Sequence, residues 1–174
     1  MDVLDTVFEV IDMRSFSNLW FWIALAVLWS STSHWVLGIP HDLIQRARRE
    51  GGQAMTDVED LARINTGRLL HIVDTGALVL VALAFFWLTV LGLLGFLYDV
   101  EFAQAVFLLS FPMAIVVWLS VRASRRISGG ENAGTALCRR LMIHRRWTQS
   151  IGMVAIFVTA MYGTWQNLSV SILH

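Results

Sequence analysis

Residues 69–98 read LLHIVDTGALVLVALAFFWLTVLGLLGFLY, a run of about 30 residues whose one acidic side chain is Asp74 and which holds no Arg or Lys. A helix needs roughly 20 apolar residues to cross the hydrocarbon of a bilayer, so this segment is more than long enough. Three further stretches have comparable character: Leu19 to Ile39, Phe102 to Val121 and Ile151 to Leu173. The whole chain is 56% hydrophobic and 15% charged, with mean hydropathy +0.62. A soluble domain of 174 residues cannot bury that much apolar surface.

None of the four stretches alternates with period 2, which a membrane barrel would require, so helices are the spanning solution. The expected fold is all-α: a polytopic membrane protein with four transmembrane helices at 19–39, 69–98, 102–121 and 151–173. The first stretch is expected to stay in the mature protein. Its leading flank carries Asp2, Asp5, Glu9 and Asp12 where a signal peptide has basic residues, and no small-residue cleavage site follows.

Charge sets the orientation. Arg46, Arg48, Arg49, Arg63 and Arg68 lie in the 40–68 connection, and Arg122, Arg125, Arg126, Arg139, Arg140, Arg145 and Arg146 in the 122–148 connection. The other side holds only Arg14. By the positive-inside rule both connections are cytoplasmic and both termini outside. Trp20, Trp22, Tyr98 and Trp165 then mark one interface and Trp35, Trp118 and Trp147 the other, while Trp29 and Trp87 fall mid-span, where packing is expected.

The acidic residues of 1–14 recur at helical spacing opposite Val3, Leu4, Val7 and Phe8, as in an amphipathic helix lying on the outer interface. With Asp99 and Glu101 they form an outer acidic collar against the lone Arg14. Gly38 and Pro40 break the first helix, and a second runs from His41 to Glu50 until Gly51-Gly52. Thr56-Asp57-Val58-Glu59 fits a capping box, which predicts a helix from Asp57 through Tyr98. Ser128 to Glu131 suggests a weaker cap for a helix running from Asn132 into the last span, so two helices extend into the cytoplasm. Pro112 is expected to kink the third span by freeing the carbonyl of Leu108.

On the last span, Thr148, Gly152, Ala155, Thr159, Gly163, Gln166 and Ser169 recur every three or four residues, all small or polar. Such a face meets protein or water rather than lipid, as a close helix seam or as a pore lining. His71 and Asp74 share a helical face at the inner end of the second span, where they suit proton relay, metal ligation or pairing of Asp74 with Arg68 or Arg145. His34 closes a polar run in the first span, and His144 precedes the last. Three His at one edge make a poor haem site, since a transmembrane haem takes paired His within the hydrocarbon.

Cys138 is the only cysteine, so neither an internal disulfide nor a multi-thiolate metal site is available, and no metal or cofactor is expected. Beside Arg139 and Arg140 it reads as an exposed thiol, incidental or of lowered pKa. Both Arg clusters, Arg122, Arg125 and Arg126 and then Arg139, Arg140, Arg145 and Arg146, suit contact with anionic lipid, and the second also suits a protein partner. Nucleic acid is not expected, because aromatic platforms do not interleave with the Arg cluster. No nucleophile elbow, phosphate loop, zinc-protease motif or catalytic carboxylate pair occurs, so the chain reads as a non-enzyme.

The segments EVIDMRSFSNLWFWIALAVLW (9–29), SHWVLG (33–38) and VEFAQAVF (100–107) resemble a small family of alphaproteobacterial inner-membrane proteins labelled as a component of the SufBCD complex. The resemblance implies a link to iron-sulfur assembly and brings no catalytic motif with it. Two functional expectations follow from the residues. One is a homo-oligomeric channel or transport protein for cations, with the acidic collar at its mouth. The other is a non-catalytic membrane anchor or accessory subunit whose Arg-rich inner face docks a cytoplasmic partner.

Overall fold

The computed structural model describes Phe16 and residues 19–171. The expected amphipathic helix at 1–14 lies outside the described residues. Five helices and one two-stranded hairpin make up the described chain, in the order α1 (Leu19–His34), β1 (Trp35–Val36), β2 (Ile39–Pro40), α2 (His41–Glu50), α3 (Gly52–Phe96), α4 (Glu101–Ser128) and α5 (Gly134–Ser171). The fold is all-α.

The first apolar stretch does not stay helical to Ile39. Leu37 and Gly38 take positive φ of 52° and 75°, which turns the chain in two residues and pairs Val36 with Ile39 and Trp35 with Pro40. Two successive left-handed residues are the geometry of a tight hairpin turn, and Gly38 supplies the permissive backbone. Gly38 also lies against Asn65 of α3: a Cβ there would come within 2.8 Å of the Asn65 amide nitrogen. Pro40 then opens α2, and Gly51, at φ 63°, closes it. Ile44 and Ala47 turn inward, while Arg46, Arg48, Arg49 and Glu50 face out.

α3 begins at Gly52, five residues before the start expected at Asp57. Thr56 donates its hydroxyl back to the Gly52 carbonyl (3.4 Å), and Glu59 reaches across to accept the N–H of Gly134 (2.7 Å). The apparent box is thus a link between helices: its carboxylate caps α5, where the exposed N–H groups and the dipole favour negative charge. α5 accordingly starts at Gly134 rather than at Asn132. α3 is kinked at Gly76 (φ −125°, ψ 18°). From Ala77 to Phe96 the remaining helix covers about 30 Å at 1.5 Å per residue. Pro112 lies inside α4 without interrupting it.

α3 and α4 are long and apolar enough to cross a membrane, and only 6% and 22% of their most apolar stretches are buried. A helix in the core of a soluble protein would be covered; here Leu78, Phe85, Phe86 and Trp87 stand exposed along α3. Trp87 therefore faces out, contrary to the packing expected of it, and its indole N–H donates to the Ser110 hydroxyl (3.4 Å). Trp29 is buried as expected.

Contacts fall into three layers. At the end away from the Arg clusters, Glu101 accepts the N–H of Phe16 (2.8 Å), and the Gln104 amide donates to Gly95 O (2.8 Å) and to Asp99 (2.9 Å), tying the α3–α4 turn. In the middle, Leu25 and Trp29 of α1 pack with Val116 of α4 and Ala155 of α5. At the Arg-bearing end the hairpin, α2, the first turns of α3, the end of α4 and the start of α5 enclose a separate core of Val36, Ile39, Ile44, Val58, Ile127, Leu137 and Leu141. Each fully buried aliphatic side chain contributes roughly 1.5–3 kcal/mol, so this end is a folded headpiece rather than a pair of loops.

Candidate functional site

The stripe on α5 packs inside the chain. Thr148, Gly152, Ala155, Thr159 and Gly163 are buried, and Gln166 is half-buried. A Cβ on Gly152 would stand 2.7 Å from the Trp29 ring, and one on Gly163 would stand 3.0 Å from Phe16. These two glycines let bulky rings from α1 and its approach seat on α5, which is the small-residue seam. The side chain of Ser169 lies outside what is described. His144, Leu141 and Leu137 continue the same stripe into the headpiece at the same spacing, and all three are buried. The seam leaves the hydroxyls of Ser124, Thr148 and Thr159 buried without a hydrogen-bond partner, together with the Trp29 indole N–H.

The ionisable residues do not converge. Asp74 pairs with Arg125 of α4 (3.8 Å) rather than with Arg68 or Arg145, because α4 ends beside the inner turns of α3; both side chains are largely exposed. His71 is exposed one turn earlier. His34 stacks edge-on against Trp35. His144 lies 3.3 Å from the Ser120 hydroxyl, and burial lowers its pKa below the ordinary 6.5. Among the described residues no three His, Cys, Asp or Glu side chains stand together as metal ligands. In the outer acidic collar, Asp2, Asp5, Glu9 and Asp12 lie outside the described residues. Asp99 and Glu101 are both engaged in holding backbone and amide groups.

Cys138 is not an exposed thiol. It lies buried in the headpiece core, 3.8 Å from the Met55 sulfur, and desolvation raises its pKa despite the nearby Arg48. Helical rotation turns its side chain inward while Arg139 points out.

The four arginines at the start of α5 divide by function. Arg140 grips both oxygens of Glu131 in a bidentate pair, with one bond at 2.7 Å, and this bond holds the Glu131 carboxyl below its usual range. Arg145 donates to the Ser33 carbonyl (3.2 Å) and so ties α5 to the end of α1. Arg139 and Arg146 are left on one exposed face with Met142, at spacing i, i+3, i+7. Together with Arg48 of α2 they line a cleft of about 760 Å³ over Met55, Met142 and Cys138. No ion pair among the described residues involves Arg48, Arg139 or Arg146. The cleft combines three guanidinium groups outside any described ion pair with an adaptable sulfur-rich floor, a chemistry suited to an acidic segment with an apolar anchor. In the sequence Arg48 bears only on orientation and Met55 and Met142 carry no signal of their own; the spacing of Arg139, Met142 and Arg146 is the one local mark of this face.

Comparison of the chain with protein-family models, with curated proteins and with solved structures finds no match.

Proposed function

We propose that this chain is a four-span inner-membrane anchor that presents its Arg-bearing headpiece to the cytoplasm. There it docks an acidic protein partner, without a catalytic step, in the cleft of Arg48, Arg139 and Arg146. The membrane reading is supported by the exposed apolar faces of α3 and α4, which are far larger than water tolerates. α1 and the outer part of α5 complete the set of spans, since they share one packed layer with α4. The orientation rests on the twelve-to-one split of arginines already described.

The observation that carries the docking reading is the cleft itself: three arginines that form no ion pair among the described residues, seated on a folded core instead of a flexible loop. The resemblance noted in the sequence points to iron-sulfur assembly machinery as a source of the partner. Affinity capture from detergent extract tests the reading, comparing wild type with the triple variant Arg48→Gln, Arg139→Gln, Arg146→Gln. Arg63→Gln, which breaks only the exposed pair with Asp60, serves as control. A stoichiometric partner held by wild type and control and lost from the triple variant is expected. Absence of any stoichiometric partner defeats the docking reading.

A second reading, a homo-oligomeric channel or transport protein for cations, draws support from the buried, unpartnered hydroxyls of Ser124, Thr148 and Thr159, which would offer oxygens to a permeating species. The close approach of Trp29 and Phe16 to α5 leaves that path filled in a single chain, which is why the anchor ranks first. Cation flux into liposomes holding the pure protein, abolished by Thr159→Val, would reverse the ranking.

A further inference from the structure

A groove of about 830 Å³ runs between α3 and α4, outside the docking cleft. Its walls are apolar: Ala77, Val81 and Ala84 from α3, and Ala114, Val117 and Val121 from α4. The three alanines leave the space, and the kink at Gly76 lies where the groove meets the headpiece. At that end the lining changes abruptly to Arg122, Arg125 and Arg126, three guanidinium groups on one face of α4.

Among the described residues, carboxylates balance their charge only in part. Asp74 reaches Arg125 at 3.8 Å, and Glu131, the other carboxylate near Arg126, is held by Arg140. Arg122 and Arg126 stand one turn apart as like charges, which is unfavourable without a counter-anion. Arg122 also lies over the Trp118 ring, 5.6 Å from its centroid. That stacking fixes the cation at the groove mouth and leaves its N–H edge open.

We propose that this groove is a binding site for one anionic glycerophospholipid, with an acyl chain along the alanine-lined walls and the phosphate between Arg122 and Arg126. The proposal rests on the membrane reading above. Charge complementarity selects the occupant: an apolar tail channel that ends in a surplus of arginine matches the two ends of such a lipid, and basic pockets between helices at the inner leaflet recognise anionic head groups. A volume near 830 Å³ lies within the range of sites that enclose a small amphiphile.

The test is native mass spectrometry of the full chain in detergent, with dioleoylphosphatidylglycerol and dioleoylphosphatidylcholine competing at equal concentration. Wild type should retain one phosphatidylglycerol, preferred by roughly tenfold or more, as two basic residues near a lipid surface imply. Arg122→Gln with Arg126→Gln should bring the preference close to unity, whereas Arg122→Lys with Arg126→Lys should keep most of it. Ala84→Phe, which fills the groove, should lower retention of both lipids. Equal retention of the two lipids by wild type overturns the site. So does displacement by inorganic phosphate as effective as by phosphatidylglycerol, which would make it a free-anion site. Alkaline carbonate extraction separates the two levels of failure. A protein that stays with the membrane but shows no lipid preference sinks only this inference, and one released into the soluble fraction sinks the membrane reading with it.

Discussion

Replacing Gly152 with alanine asks whether the α5 stripe is a protein seam or a wet lining. In an open helix the change should stabilise, because Gly lies about 1 kcal/mol below Ala in helix preference. In this structure the new methyl would meet three atoms of the Trp29 ring at 2.7, 3.1 and 3.3 Å. The ring is rigid and buried against Leu25, Val116 and Ala155, so it cannot swing aside freely. Overpacking of this kind costs about 1–3 kcal/mol, which leaves a net loss of up to about 2 kcal/mol after the propensity gain. Trp29→Leu removes the obstructing ring and by itself opens a cavity. Placed in that background, Gly152→Ala should become neutral or stabilising by about 0.5–1 kcal/mol, a change of sign that a double-mutant cycle isolates. Thermal unfolding in detergent, read by size-exclusion recovery of the intact particle, reports it as a shift of roughly 2–4 °C per kcal/mol in a chain of this size. If Gly152→Ala raises Tm with Trp29 present, the face is not packed there and the seam account is wrong.

Gly95→Ala should lower stability by about 1–3 kcal/mol, because the methyl would stand 3.0 Å from the backbone nitrogen of Gln104, an atom that cannot rotate away; Tm of the detergent particle checks it. Cys138 should react with a maleimide far more slowly in the native protein than after denaturation, since burial both shields it and raises its pKa; equal rates would place it at the surface. His144 titrates lower when folded than when unfolded, so its contribution is complete above pH 6.5, where both states are neutral. Below that value the unfolded state binds the extra proton, and stability should fall as pH drops toward the folded pKa. His144→Gln should flatten the Tm profile between pH 7 and 5.

The long apolar runs carry the helical class and the boundaries of α2 plainly in the sequence, since Pro40 and Gly51 are local signals that tertiary contacts reinforce. The stripe from Thr148 to Gln166 was equally visible as a face; which neighbour covers it was not, because Trp29 and Phe16 come from distant positions. Glu59 shows how a local pattern misleads: a capping box and a link between helices share the same residues, and only the position of Gly134 distinguishes them. The headpiece was hidden for a related reason. Val36, Ile44, Val58, Ile127 and Leu137 are scattered through polar connections and form a core only when five segments meet. The same dispersal hid Arg48 from Arg139 and Arg146, and left Cys138 to be judged by its charged neighbours in sequence instead of its apolar neighbours in space.

Sidedness of two engineered cysteines tests the central claim most directly. In a Cys138→Ala background, single cysteines at Ser128, exposed on the headpiece side, and at Tyr98, exposed at the α3–α4 turn, are labelled with a membrane-impermeant maleimide. Position 128 should react only in inverted vesicles and position 98 only in right-side-out ones. Labelling of both from the same side, or the reverse assignment, would contradict an anchor that crosses the bilayer and holds its arginine headpiece in the cytoplasm.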